Sequence, residues 1–155
     1  MKRIFAAFLV LGIMLGTGSC SMKKVKEIEV ISADIKSFKL SSSRSADAII
    51  LLEIDNPAGK FTVNDLEATV KLKGKEMGIV RASKIPLEAK CRKIYEVPCS
   101  AALADGVSVL SVLPILDGGS FESVTADVSL YVSLGRKSRG KHLVKNDIPL
   151  SKLIK

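Results

Sequence analysis

Hydrophobic residues fall on alternate positions along much of this chain. Val124, Ala126, Val128, Leu130, Val132 and Leu134 alternate strictly with Thr125, Asp127, Ser129, Tyr131 and Ser133. A period of two predicts a strand with one face in a core and the other in water. Leu66, Ala68, Val70 and Leu72 alternate with Glu67, Thr69, Lys71 and Lys73 in the same way. Lys73-Gly74-Lys75 then reads as a hairpin tip, with Met77, Ile79 and Val80 on the returning strand. A helix there would need apolar residues at three-to-four spacing, which this stretch lacks. Tyr95, Val97, Cys99, Ala101 and Leu103 form a third alternating set that places Cys99 on the inward face.

The intervening segments are less regular. Val25 to Leu40 interleaves β-branched residues with charges and predicts one or two short strands, broken near Ser32–Asp34. Ser41-Ser42-Ser43-Arg44-Ser45 reads as a polar turn. From Ala46 to Ile54 the even positions are apolar, but so are Ile49 and Leu51, which predicts a central strand covered on its second side by a helix or loop. Asp55-Asn56-Pro57 ends that strand, because proline removes a ladder donor and biases Asn56 away from helix. In VSVLSVLPILDGGS, Leu110, Leu113, Ile115 and Leu116 suit a short amphipathic helix closed by Gly118-Gly119 and limited by Pro114. Alternation with Ser108 and Ser111 leaves a strand over Val107–Leu113 as the alternative. Gly135 to Lys141 reads as a basic turn. Lys141 to Leu150, mostly polar, reads as an edge strand that its charges and Pro149 protect from aggregation.

The N-terminus follows a different pattern. Met1-Lys2-Arg3 precedes an apolar run from Ile4 to Leu15, too short for the roughly 20 residues of a spanning helix but suited to a signal-peptide core. Gly16, Thr17, Gly18 and Ser19 lead to Cys20. Small residues followed by cysteine at this distance resemble the lipobox of bacterial lipoproteins, although Thr17 stands where that motif prefers leucine. The resemblance implies that residues 1–19 are a cleaved signal peptide and that Cys20 is lipidated, with residues 20–27 as a short tether and 28–155 as the folded domain. Several acyl chains give anchoring that one chain does not. Ser21 after Cys20, where some lipoproteins carry aspartate, resembles lipoproteins passed to the outer membrane, which implies its periplasmic face as the location.

Composition adds little chemistry. Apolar residues make up 47% of the chain, with no tryptophan and 5% aromatics, so the core must be aliphatic. The net charge is +8, or +6 without residues 1–19, and the basic side chains are scattered singly along the strands apart from Arg136–Lys141. With few aromatics beside that cluster, a solvated face is expected rather than a nucleic-acid patch. His142 is the only histidine, so a histidine metal site has no second imidazole and a catalytic triad no obvious partners. Cys91 and Cys99, eight apart, lie far beyond disulfide reach on one extended strand; a tight turn at Lys90–Lys93 would bring a bridge within range. Glu53, Asp55 and Asp65 lie where a cation site could form near the Asn-Pro loop, although carboxylates at strand ends are usually solvated. No phosphate-binding glycine loop, nucleophile elbow or paired catalytic carboxylates occur, so no catalytic, cofactor or metal residues are expected.

Asn56-Pro57, Phe61 in a short loop, Leu66, Gly74, Gly78, the proline-bearing link Lys84-Ile85-Pro86-Leu87 and the strand at Tyr95–Ala101 together resemble the late-embryogenesis-abundant type 2 (water-stress) domain over roughly 30–154. That resemblance implies an all-β fold: a seven-stranded, immunoglobulin- or fibronectin-III-like antiparallel sandwich with one short helix. It also implies a non-enzymatic role in desiccation stress or in binding a ligand or protein. The alternative expectation is a structural or assembly lipoprotein that pairs an edge strand, the polar final one, with an envelope protein.

Overall fold

The structure, a computed structural model, describes residues 28–116, 122–134 and 139–149. It is an all-β, antiparallel chain with a single helix among those residues. Eight strands form one sheet: β1 (Glu29–Ser42), β2 (Ser45–Asn56), β3 (Phe61–Leu72), β4 (Lys75–Ala82), β5 (Ile85–Leu87), β6 (Cys91–Leu103), β7 (Val124–Leu134) and β8 (Arg139–Pro149). They lie in the order β1-β2-β6-β4-β3-β7-β8, with β5 beside the start of β3. The expected count of seven is exceeded by β5, where the proline-bearing link is itself a strand. Its Ile85 and Leu87 are buried, and Pro86 stands opposite Thr62.

The sheet curls so that its inner residues meet in one core. Ile50, Leu52 and Ile54 of β2, Tyr95, Val97 and Cys99 of β6, and the even-numbered residues from Val124 to Val132 of β7 all belong to a single buried cluster. The strict alternation of β7 gives its bounds as expected. β3 starts earlier than the pattern suggested. Phe61 is a buried strand residue rather than a loop aromatic, and the inward set changes from odd (Phe61, Val63) to even (Leu66, Ala68) across a register shift that contains Asp65 at φ 51°. One extra residue in a strand reverses the faces of everything beyond it, so the bulge hides the first half of β3 from a period-two reading.

β1 is also a correction. It is one fourteen-residue strand, without a break at Ser32–Asp34, and its register against β2 slips at Val30/Ser32, Ile35/Ser37 and Leu40/Ser42. The polar turn shrinks to Ser43-Arg44, because Ser42 and Ser45 pair with each other. Arg44 donates to the carbonyls of Leu103 and Ala104 and pairs with Asp105, fastening this hairpin to the end of β6.

On the outer side of β2, Ile49 and Leu51 are half-buried. No helix or loop from the described residues covers them as expected. Instead an ion pair between Lys36 of β1 and Glu96 of β6 spans the strand, and Glu53 is held by Ser32 on one side and Arg92 on the other, at 3.2 and 2.7 Å. The methylene stems of such side chains can shield apolar surface while their charges stay in water. The scattered basic residues are used in this way elsewhere too: Arg81 pairs with Glu67, and Lys71 with Asp127 and Asp147.

The segment after β6 contains helix α1 (Val109–Leu116), which settles the helix-or-strand alternative in favour of helix. Val112 packs on the core and Leu110, one residue of the expected apolar face, is 76% exposed; the side chains of Leu113, Ile115 and Leu116 lie outside the described ones. Pro114 has no N–H for the Leu110 carbonyl, consistent with a helix of about two turns. Gly118, Gly119, the turn at 135–138 and Leu150 lie outside the described residues, as does Cys20 with the whole of 1–27.

Candidate functional site

The Asn-Pro corner is the most highly constrained polar feature. Asn56 is fully buried, the only polar residue among those described that is. Its Oδ1 accepts from the Ala58 N–H at 3.0 Å; its Nδ2 donates to the carbonyls of Glu88 at 2.7 Å and Gly59 at 3.3 Å. The Lys90 N–H adds a bond to the Ala58 carbonyl at 3.0 Å, and the Glu88 N–H donates to the Tyr95 hydroxyl at 3.0 Å. One amide side chain therefore ties the β2–β3 corner to the β5–β6 loop, and the tyrosine closes the circuit. Lys93 lies 5.9 Å from the Tyr95 ring centroid and pairs with Glu88, whose carboxyl it holds below its usual range.

This network is internally satisfied. Among the described residues no buried side-chain nitrogen or oxygen lacks a partner, so the corner aims no free polar group at a ligand. The carboxylates placed near it by sequence do not converge. Glu53 is taken up by Arg92, which lowers its pKa, and Asp65 sits exposed on the β3 bulge. No group of three or more His, Cys, Asp or Glu side chains among the described residues is placed to hold a metal ion.

Cys91 and Cys99 both lie on β6 with free thiols, eight residues and about 26 Å apart at the rise of a strand. The tight turn that would have allowed a bridge ends at Lys90 (φ 48°), before the strand begins. Cys99 is 5% exposed, and burial pushes its thiol up to about 12. Cys91 is half-buried, its sulfur 3.6 Å from the Glu88 carbonyl. His142 is exposed on β8 opposite Tyr131, at the sheet's edge.

An open groove of about 510 Å³ marks the outer surface where β4 parts from β6. Ile49 and Pro98 form its apolar floor and Lys39, Asp47 and Arg81 stand around it. The ladder ends there with a bond from the Ser83 N–H to the Pro98 carbonyl. Composition gave no sign of this groove, because it arises from strand divergence. Its charges are mostly engaged: Arg81 with Glu67, and Asp47 with the Ser41 hydroxyl.

No family model and no curated protein matches the chain. Among solved structures, a protein from Archaeoglobus fulgidus resembles it with a TM-score of 0.44 and 9% sequence identity, covering 77% of this chain and 94% of that one. No helix among the described residues is long and apolar enough to cross a membrane.

Proposed function

We propose that this chain is a non-enzymatic, lipid-anchored protein of the bacterial cell envelope, held by acyl chains on Cys20 at the periplasmic face of the outer membrane. The observation that carries this is the order of segments: Lys2-Arg3, the apolar run Ile4–Leu15 and Gly18-Ser19-Cys20, with the sheet beginning only nine residues later at Glu29. The domain is proposed to be a late-embryogenesis-abundant type 2-like module, its curled sheet a variant of the seven-stranded fibronectin-like sandwich, acting in stress protection or in binding a ligand or protein. The Asn56 corner and the hairpin glycine Gly74 (φ 79°) support that fold assignment. Metabolic labelling with a palmitate analogue tests the anchor. Label is expected on the wild type and absent from Cys20→Ser; label that persists in the variant overturns it. Protection is tested by drying a reporter enzyme with the protein, where rescue no better than albumin removes the stress role.

A second function, docking of an envelope protein on an edge strand, is favoured by one observation. The path of paired strands ends, among the described residues, in two long edges, β1 and β8.

A further inference from the structure

The two edges differ in character. β8 carries the features that discourage pairing: Gly140, Lys141, Lys145, Pro149 and a bulge at Asp147 with φ 52°. β1 is fourteen residues long, has no glycine or proline, and leaves Phe38 40% and Leu40 68% exposed. Register against β2 fixes which way β1 side chains point. Ile35, Phe38 and Leu40 stand opposite Ile50, Ala48 and Ala46, on the core side; Asp34, Ser37 and Lys39 stand opposite Leu51, Ile49 and Asp47, on the outer side. Lys36 is the extra residue at the Ile35/Ser37 slip.

That slip makes the strand symmetric about the Lys36–Ser37 bond. Run antiparallel to itself about that point, β1 sets Ile35 opposite Phe38 on the core side, Asp34 opposite Lys39 on the outer side, and Ala33 opposite Leu40 in register. Each pair occurs twice. Shifting the axis to Asp34 or Lys36 would oppose like charges, which is unfavourable for directly facing residues. Neither Asp34 nor Lys39 enters an ion pair with any described residue, so both charges are available to a partner.

We propose that β1 is a homodimer edge: two copies of this chain pair antiparallel about Lys36–Ser37, joining their sheets and covering Phe38 and Leu40. The proposal does not depend on acylation of Cys20. It is tested on the full chain in detergent by sedimentation equilibrium. The wild type is expected to be dimeric. Asp34→Lys and Lys39→Asp should each weaken the dimer roughly tenfold, since each replaces two opposed-charge pairs with two like-charge pairs. The double exchange Asp34→Lys/Lys39→Asp should restore it, and Lys145→Asp on β8 should leave it unchanged. A monomeric wild type, single variants that dimerise like wild type, or a double exchange that fails to recover would overturn the proposal. Disulfide trapping in a Cys91→Ser background gives a second measure if a charge variant folds poorly. Asp34→Cys copies should crosslink to Lys39→Cys copies but not to each other, because two Asp34 positions lie about 17 Å apart in this register. Equal crosslinking of both combinations would overturn it as well.

Discussion

Asn56 concentrates more of the architecture than any other residue. Replacing it with alanine strands the Ala58 N–H and the Glu88 carbonyl inside the protein, and should cost about 2–3 kcal/mol. Urea unfolding should show a lower midpoint at an unchanged slope. Asn56→Asp should be worse at neutral pH, because a carboxylate would face two carbonyls. With its folded pKa raised, that variant should recover stability as pH falls from neutral towards the ordinary carboxylate range, and gain nothing further below it. Sequence marks Asn56-Pro57 as a corner but gives no sign that the amide is buried, since its best partner, Glu88, is 32 residues away. Cys99 makes a prediction of the same sign in the alkaline range. Its thiol stays protonated to about 12 while an unfolded thiol ionises near 8.5–9, so the unfolded state binds fewer protons between those values. Stability should therefore fall by up to about 1.4 kcal/mol per unit as pH rises through that window. Cys99→Ala should flatten that slope, and a thiol reagent should label Cys91 well before Cys99 in the native protein. An unchanged slope would show that the burial of Cys99 contributes nothing to alkaline unfolding.

At the scale of elements, the legible strands are those without bulges. β7 has its bounds written in the alternation of Val124 to Leu134, whereas β1 and β3 hide theirs behind slips at Lys36 and Asp65 that reverse the period. The same limit applies to Gly78. Its type suggests backbone freedom, yet its φ is not positive; what it provides is space. A Cβ there would lie 2.6 Å from the Ala102 carbonyl oxygen, across the β4–β6 ladder. Because the obstacle is backbone, Gly78→Ala must push the strands apart and should cost about 1–3 kcal/mol. Hydrogen exchange should quicken first at Ile79 to Ala82 and Cys99 to Leu103, the residues of that ladder. Uniform acceleration across all strands would instead point to a global effect.

The whole molecule has a long axis with distinct ends. Glu29 pairs with Asp55 beside the Asn56 corner, so the chain enters the sheet at the end that carries Lys60 and Lys90, and the Gly74 hairpin lies at the other. β3 alone spans about 40 Å between those ends. A tether of eight residues from Cys20 reaches less than about 30 Å. In a Lys39→Asp background, which keeps the chain from pairing through β1, and with Cys20 acylated, a fluorophore on Lys60→Cys should be quenched by a bilayer quencher more strongly than one on Lys75→Cys; the reverse order would exclude this orientation. The end-to-end arrangement was not legible in the sequence, because it depends on which strands pair.

Along the path from β1 to β8 the shortest join is the β4–β6 ladder, five residue pairs that link β1, β2 and β6 to β3, β4, β7 and β8. The chain contains no tryptophan and two tyrosines, Tyr95 on β6 and Tyr131 on β7, so each side of that join has its own native fluorophore. Their surroundings differ: Tyr95 is in the core, while Tyr131 lies across the outer surface of Gly140 on β8. Tyr95→Phe and Tyr131→Phe would therefore leave single-probe proteins that report one side each. Because Tyr95→Phe also removes the acceptor of the Glu88 N–H, each variant is compared with itself: a tyrosine melting curve that coincides with the same variant's far-ultraviolet circular dichroism curve would mean that five backbone pairs are enough to make the curled sheet melt as one cooperative unit.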